Sequence, residues 1–443
     1  MQNRNTRSPV PALMFAVSVV GSNGLALSPI LSDVARSFST TPLTISTAIS
    51  AYGAATAASA FFLAARIDRI GIRRTLLGGM LALIAALLLS TAAPHWLALT
   101  LAQAVAGTAA GVILPAAYGS ASLIAQPGQE ARTLGRVIAG WSVSLVAGVP
   151  LSALISDAIG WRATYGVLAL CAAVALLGLR RLPERRAAHP APVRLSRLLA
   201  PLSYRDVPAL LLGCLAFSSA FYGVYAFLAD HVRRLLALST GQVGFIAFAY
   251  GAGFMLSGLL GARLIERLGP RRALPLALGA AALVYLALLP AARALPTVLL
   301  IAAVWGAASQ LCLNLLVLLL SRARPEERGA VLGLNTCVTY LGASLGTAVA
   351  GTLYTHAGFG ALALSASGAV AVAALGLHWR LNARRAARTE PHPETRGHAR
   401  AGAFSPACPH PAASGAFASA PPLRLPAGIA RAMARAKRYP YSG

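Results

Sequence analysis

The seven residues Asp68-Arg69-Ile70-Gly71-Ile72-Arg73-Arg74 return 198 positions later as Glu266-Arg267-Leu268-Gly269-Pro270-Arg271-Arg272, and each copy stands between two long apolar stretches. The same offset carries Ala51-Tyr52-Gly53-Ala54 onto Ala249-Tyr250-Gly251-Ala252, Leu134-Gly135 onto Leu332-Gly333, and Gly160-Trp161 onto Gly358-Phe359. One register held at four separate places marks an internal duplication. Two copies of an apolar unit joined by charged loops predict a membrane protein of two parallel repeats.

Composition supports that reading. Hydrophobic residues make up 57% of the 443 residues and charged residues 11%. The mean hydropathy is +0.67, which excludes an ordinary water-soluble domain of this length. Runs of about 20 apolar residues predict twelve transmembrane helices. In the first half they centre near Val20, Ala55, Ala85, Gly107, Ala147 and Ala172. In the second they centre near Phe217, Gly253, Ala282, Leu311, Thr339 and Ala369. The stretch from Ala139 to Ile155 is rich in Gly, Ser and Pro, which suits a helix that bends or packs closely within a bundle. The first span is followed by further spans, so it reads as part of the fold rather than a cleaved signal.

Charge sets the expected orientation. Alternating the loops from the N-terminus places 33 of the 38 Lys and Arg residues on one side and five on the other, namely Arg36, Arg162, Arg233, Arg234 and Arg293. That bias predicts cytoplasmic termini and cytoplasmic hallmark loops in a bacterial inner membrane. A net charge of +26 could suggest nucleic acid. The basic residues flank spans, so topology and membrane lipid explain them and no nucleic-acid partner is expected. The plan is an all-α membrane protein in two pseudo-symmetric six-helix bundles, residues 1–182 and 207–378. A cytoplasmic linker (183–206) joins them, and a disordered basic cytoplasmic tail (379–443) follows, rich in Ala, Pro, Arg and His.

Several function classes find no support. The five cysteines form neither a disulfide framework nor a metal spacing. No Gly-x-x-x-x-Gly-Lys-Ser/Thr loop is present for an ATP-driven pump, and no nucleophile and base suggest an enzyme. No cofactor is expected, and the chain is expected to act as a monomer.

The loop at Asp68 resembles motif A of the major facilitator superfamily, Gly-x-Leu-Ala-Asp-Arg-x-Gly-Arg-Arg. The sequence keeps Asp68, Arg69, Gly71 and Arg73, and carries Ala64, Arg66 and Ile72 where the motif has Gly, Leu and Arg. Gly140, Gly148-Val149-Pro150 and Gly160-Trp161-Arg162-Ala163-Thr164-Tyr165 in the fifth span resemble the antiporter motif of the drug:proton branch, in wording most like arabinose and multidrug efflux permeases. The resemblance covers nearly the whole chain outside the tails. It implies the major facilitator fold, a small-molecule substrate, export, and protons as the coupling ion. It also implies a cytoplasmic gate made by Asp68, Arg69, Gly71, Arg73, Glu266, Arg267, Gly269 and Arg271. A carboxylate among guanidiniums makes charge-assisted bonds that can latch one conformer; the plain alternative is that these arginines only enforce topology. The glycines and Pro150 would let the fifth helix bend and approach its neighbour across the bundle interface, and simple packing is again the alternative.

Two departures bear on coupling. Gln103 stands where this branch carries a membrane Arg four residues before a Gly (here Gly107), and the first span offers Asn23 where many exporters carry an acid. No span centre holds Asp, Glu, Lys or Arg, although such residues are the usual proton relays. Asp33, Asp157 and Asp230 remain at the outer mouth, and Asp33 is the candidate for proton coupling.

In this fold the first, fourth, seventh and tenth helices line a central site, which predicts Asn23, Gln103, Tyr222, Tyr225, Trp305, Gln310 and Asn314 as substrate-binding residues. Tyr52, Asn335 and Tyr340 stand second. Hydrogen bonding between helices is the competing role for each amide. Gln310 and Asn314, four residues apart, share one helical face. An uncharged lining suits neutral, amphipathic or sugar-like cargo. The alternatives are an uptake symporter or facilitator of the same fold, or a transport-inactive membrane sensor or scaffold.

Overall fold

The computed structural model of the chain describes residues 9–63, 67–126, 128–184, 199–204, 206–323 and 328–389. Most of the expected linker, residues 390–443, and Ala64 and Arg66 lie outside the described residues. The described part is helical, and no strand occurs in it. The long helices run in chain order: α1 Val10–Ser37, α2 Pro42–Phe62, α3 Ile72–Thr91 and α4 Trp96–Ile124. Next comes α5, in two α-helical pieces, Glu130–Val143 and Val149–Ile159, joined by a π turn at Ser144–Gly148. Then follow α6 Trp161–Leu179, α7 Val207–Leu236, α8 Thr240–Leu268, α9 Pro270–Ala291 and α10 Leu295–Ala323. The last segment, Arg328–Thr389, breaks at Gly358 into α11 and α12.

Among the described residues, eleven segments are long and apolar enough to cross a membrane, and the last of them, Ala330–Leu381, has 52 residues. A helix that long measures about 78 Å, enough to cross a hydrocarbon core of about 30 Å twice. Divided at Gly358, it completes the twelve spans that the sequence predicts. Helical structure continues to Thr389, past residue 379, where the sequence reading begins its tail.

The duplication is written into the backbone. Ser39 (φ 51°) and Ala237 (φ 52°) close α1 and α7; Gly71 (95°) and Gly269 (73°) precede α3 and α9; Gly160 (96°) and Gly358 (76°) divide α5 from α6 and α11 from α12. Each pair is 198 residues apart. Left-handed backbone is unfavourable for residues other than glycine, so its return at matching positions reflects a shared chain path. The helix connections near Ser39, Gly160, Ala237 and Gly358 lie at one end of the molecule, here termed distal. Those near Gly71 and Gly269 lie at the other, proximal end. Three distal starts, of α2, α4 and α8, are capped by side chains: the Thr41 hydroxyl accepts the Thr44 N–H, His95 Nδ1 accepts the Ala98 N–H, and Ser239 and Gln242 form a reciprocal capping box.

Glycine fixes the closest helix approaches. A Cβ on Gly107 of α4 would collide with the Tyr52 carbonyl of α2, and one on Gly306 of α10 with the Tyr250 carbonyl of α8. Both contacts lie within a repeat. Gly53 and Gly251 instead join the two repeats. A Cβ at Gly53 would fall 2.9 Å from the Ser344 nitrogen of α11, and one at Gly251 would fall 2.6 Å from the Leu145 carbonyl carbon of α5.

Candidate functional site: a distal clasp above an aromatic cavity

Among the described residues, the side-chain hydrogen bonds and ion pairs that join the first six helices to the last six gather toward the distal end. The Ser28 hydroxyl of α1 donates to the Tyr225 carbonyl of α7. One turn further, the Ser32 hydroxyl donates to Asp230. Asp33 accepts from Arg233 at 2.8 Å, from Thr240 at the start of α8, and from Arg36 of its own helix. Asp157 at the end of α5 accepts the Ser239 hydroxyl at 2.9 Å.

These acids lie in unlike surroundings. The Asp230 side chain is fully buried and also accepts from Tyr354 of α11 at 2.7 Å and from Arg234 at 3.0 Å. Asp33 is 19% exposed and its partner Arg233 is 17% exposed. Burial on that scale makes a charge-assisted bond worth more than a surface pair, and leaving either partner alone costly. Asp33 is therefore a three-way junction rather than a plain helix-end charge. In the sequence Asp157 and Asp230 stand only as further possibilities, and nothing singles out Ser28, Ser32, Arg233, Thr240, Ser239 or Tyr354. A signal is present: Asp33 and Arg36 near the end of α1 return as Asp230 and Arg234 near the end of α7, 197 and 198 residues later.

Beneath the clasp lies a cluster of rings. The Phe221 centroid is 4.9 Å from Tyr222, 5.4 Å from Tyr225, and 5.5 Å from both Tyr250 and Trp305. Tyr340 lies 6.5 Å from both Tyr222 and Tyr52, so the rings run from α7 through α11 to α2 of the other repeat. A small cavity opens between Ser28 and Pro29 of α1, Tyr225, Leu228 and Ala229 of α7, Val243, Ile246, Ala247 and Tyr250 of α8, and Trp305 of α10. The Tyr225 hydroxyl is buried without a hydrogen-bond partner.

The remaining expected site residues are placed elsewhere. Asn23 Nδ2 donates to Gln103 Oε1 at 3.2 Å, Gln103 Nε2 donates to Ser90 Oγ of α3 at 3.1 Å, and Ser90 donates to the Ala86 carbonyl. This relay stays within the first repeat. Asn23 stands five residues, about 140° around the helix, from the Ser28 that meets α7. The Asn23 Oδ1 is left buried and unpartnered. The same spacing turns Gln310 away from Trp305, and its amide packs beside Gly258 of α8. Asn314 is exposed and Asn335 half-buried. The structure thus brings Tyr222, Tyr225 and Trp305 together, pairs Asn23 with Gln103, and sets Gln310 and Asn314 apart from both groups.

At the proximal end, the side chains of Asp68 and Arg69 lie outside what is described. Gly71 and Gly269 supply the turns that start α3 and α9. Arg73 donates to the Arg180 carbonyl at 2.8 Å and Arg74 pairs with Glu184 at 2.7 Å. Glu266, Arg267 and Arg271 are exposed.

In α5, a Cβ on Gly140 would collide with the Met14 carbonyl and one on Gly148 with the Ser22 hydroxyl, both on α1 of the same repeat. Approach across the repeats comes instead at Leu145, which meets Gly251, and at Pro150, whose carbonyl lies 3.5 Å from a Cβ built on Gly244. Pro150 removes a backbone donor, and the π turn just before it widens the helix. The Trp161 indole donates to Ser37 at 2.9 Å, while Arg162 lies 4.3 Å over the same ring and donates to the Ala93 carbonyl. The Gly-Trp-Arg sequence thus staples the distal ends of α1, α3 and α6.

Comparison with known proteins adds a family. The model of the Major Facilitator Superfamily matches residues 13–234 and again 211–434, two matches that begin 198 positions apart. The chain is 29% identical over 361 residues to an uncharacterized MFS-type transporter, YwfA, of Bacillus subtilis, covering 80% of this chain and 87% of that one. It is 29% identical over 268 residues to a chloramphenicol resistance protein of Streptomyces lividans, covering 58% and 67%. A crystal structure of a peptide transporter, POT, superposes with a TM-score of 0.67 at 15% identity, covering 86% and 95%.

Proposed function

The chain belongs to the major facilitator superfamily of membrane transporters, and from that premise we propose that it exports a small organic molecule across a bacterial inner membrane by alternating access, in exchange for protons. The two six-helix bundles rock about the close approaches at Gly53 and Gly251. The distal end faces outward, as the excess of Lys and Arg at the proximal end supports. The conformer described here is the one closed to the outside.

One observation carries the reading: among the described residues, side-chain bonds tie α1 and α5 of the first repeat to α7 and α8 of the second at the distal end, above a cavity, as an alternating-access gate requires. The relative named for chloramphenicol resistance supports export over uptake. Substrate binds at the rings of Tyr222, Tyr225 and Trp305. The Asn23–Gln103 relay braces the first bundle, and the proximal loops around Asp68 and Glu266 close the inner side when the clasp opens.

Protons act at the clasp. Neutralising Asp33 removes its attraction for Arg233 and weakens the bonds to Thr240 and Arg36, so a proton arriving from outside favours the outward-open conformer in which substrate leaves. Inverted membrane vesicles test both parts. An acid interior drives chloramphenicol inward if the reading is right; accumulation only by right-side-out vesicles makes the protein an importer.

The second reading is a facilitator without proton coupling, favoured by the absence of charged residues at the span centres. Accumulation that survives collapse of the pH gradient selects it. A sensor or scaffold acting through residues 390–443 would lose function when that tail is deleted, whereas a transporter keeps it.

A further inference from the structure

We propose that the chain pairs with a second copy of itself through the outer face of α10, joined by hydrogen bonds between amides inside the bilayer. Helical spacing sets the face. Leu300, Val304, Leu311 and Asn314 fall within about 80° of one another around α10, and Gln310 stands at the edge of that strip. Leu300 is 66% exposed and Val304 47% exposed. Both belong to the distal half of α10, where the clasp draws the repeats together, so the strip looks outward to lipid. Asn314 continues it and is exposed.

Depth makes that exposure costly. Arg293 and Arg322 flank the helix, about 43 Å apart along its axis, which matches a bilayer with its headgroups at about 40–45 Å. Gln310 then lies about 4 Å from the middle and Asn314 about 10 Å, both inside a hydrocarbon core that reaches about 15 Å to either side. A polar group facing lipid without a partner is unfavourable. Among the described residues, neither amide side chain is hydrogen-bonded within the chain.

A second copy supplies what is missing. An amide donates and accepts at once, so like residues satisfy each other. Two copies inserted with the same orientation are related by a twofold axis along the membrane normal, and each residue beside that axis meets its own counterpart at the same depth. Asn314 then faces Asn314, with Gln310 one turn away. Gly258 of α8, against which the Gln310 amide packs, lets a neighbouring helix come close. Phospholipid is the poorer occupant, because its ester and phosphate oxygens lie nearer the surface and its chains offer only carbon.

This placement spares the transport cycle. Both α8 and α10 belong to the last six helices, so the dimer joins two second bundles and leaves each first bundle free to rock. The inference needs only the membrane spans and is independent of the direction or coupling of transport.

Förster transfer between donor- and acceptor-labelled copies of the full chain in liposomes, measured as protein is diluted into lipid, tests the pairing. Transfer should exceed that of randomly mixed monomers and fall on dilution as a dimer dissociates. Asn314→Leu should weaken the dimer about three- to tenfold, the loss of hydrogen bonding between helices in lipid, and Asn314→Gln, which restores an amide, should keep most of it. Oxidative cross-linking locates the face. Val304→Cys should give dimers above the background of the native cysteines, and Leu170→Cys, at a residue 66% exposed on α6 of the first bundle, should not. Should Asn314→Leu insert poorly, Val304→Cys decides with both amides intact. Transfer at the random level, transfer unchanged in Asn314→Leu, or cross-linking at Leu170→Cys in place of Val304→Cys overturns the proposal. So does a monomer carrying a phospholipid that Asn314→Leu loses. Export by vesicles whose protein is wholly monomeric would remove the dimer and leave the exporter standing.

Discussion

Arg233 on α7 donates to Asp33 on α1 at 2.8 Å, across 200 residues of chain and from one repeat to the other. Both side chains are less than one-fifth exposed, so the pair is sheltered from the screening that makes surface ion pairs weak. Removing one partner strands the other. Asp33→Asn should cut transport by about tenfold, roughly 1.4 kcal/mol, and abolish its dependence on the pH gradient while passive exchange continues. Arg233→Gln should match it in size, and the double variant should be no worse than either single change. A double-mutant cycle of transport rates checks this; additive losses would show that the two residues act separately.

The proximal loops make a second case. Asp68→Asn keeps the size of the side chain and every basic residue of the positive-inside signal. Transport should fall sharply while membrane insertion, read by fractionation, stays normal. Glu266→Gln should be milder. Full activity in Asp68→Asn would reduce the loop to a topology anchor.

Glycines distinguish pivot from filler. Gly53→Val and Gly251→Val each force a side chain into backbone of the opposite repeat and should abolish transport with expression retained. Gly78→Ala and Gly279→Ala meet nothing within 4 Å, so they should leave transport intact and raise stability by about 0.5–1 kcal/mol each. Thermal unfolding and transport, measured on the same four variants, check the contrast.

The Asn23–Gln103 pair should report on stability rather than substrate affinity. Gln103→Leu leaves the Asn23 amide without its acceptor and Ser90 without its donor, at a cost of about 1 kcal/mol for amides within a bilayer. The melting temperature should fall while KM holds. A raised KM with unchanged melting would return both residues to the binding site.

Much of this fold is legible in the sequence because duplication and lipid are both strong constraints. The 198-residue offset read from Gly71 and Gly269 recurs in φ at three pairs of positions, including Ser39 and Ala237, where no sequence motif points to it. Apolar length locates the spans since a bilayer tolerates few alternatives. The site is less legible. Helical spacing shows that Gln310 and Asn314 share a face, but not what that face meets; Gln310 packs beside Gly258 of α8, Asn314 is exposed, and Trp305 looks elsewhere. Asn23 and Gln103 are read as cavity amides because lipid-buried amides need partners, yet composition alone cannot say that each is the other's partner. The clasp escapes for a related reason. Asp33, Asp230 and Arg233 resemble ordinary helix-end charges until packing brings ends 200 residues apart into contact.

Rocking that opens and shuts the distal clasp is tested most directly by two distances measured in one protein. Spin labels at Ile159 and Leu235, exposed on opposite repeats at the distal end, and at Phe62 and Leu268 near the proximal end, report the two mouths separately. Acidification with chloramphenicol present should lengthen the distal distance and shorten the proximal one, and Asp33→Asn should hold both near their acid values at neutral pH. Distances that stay fixed, or that lengthen together, would contradict alternating access gated by this clasp.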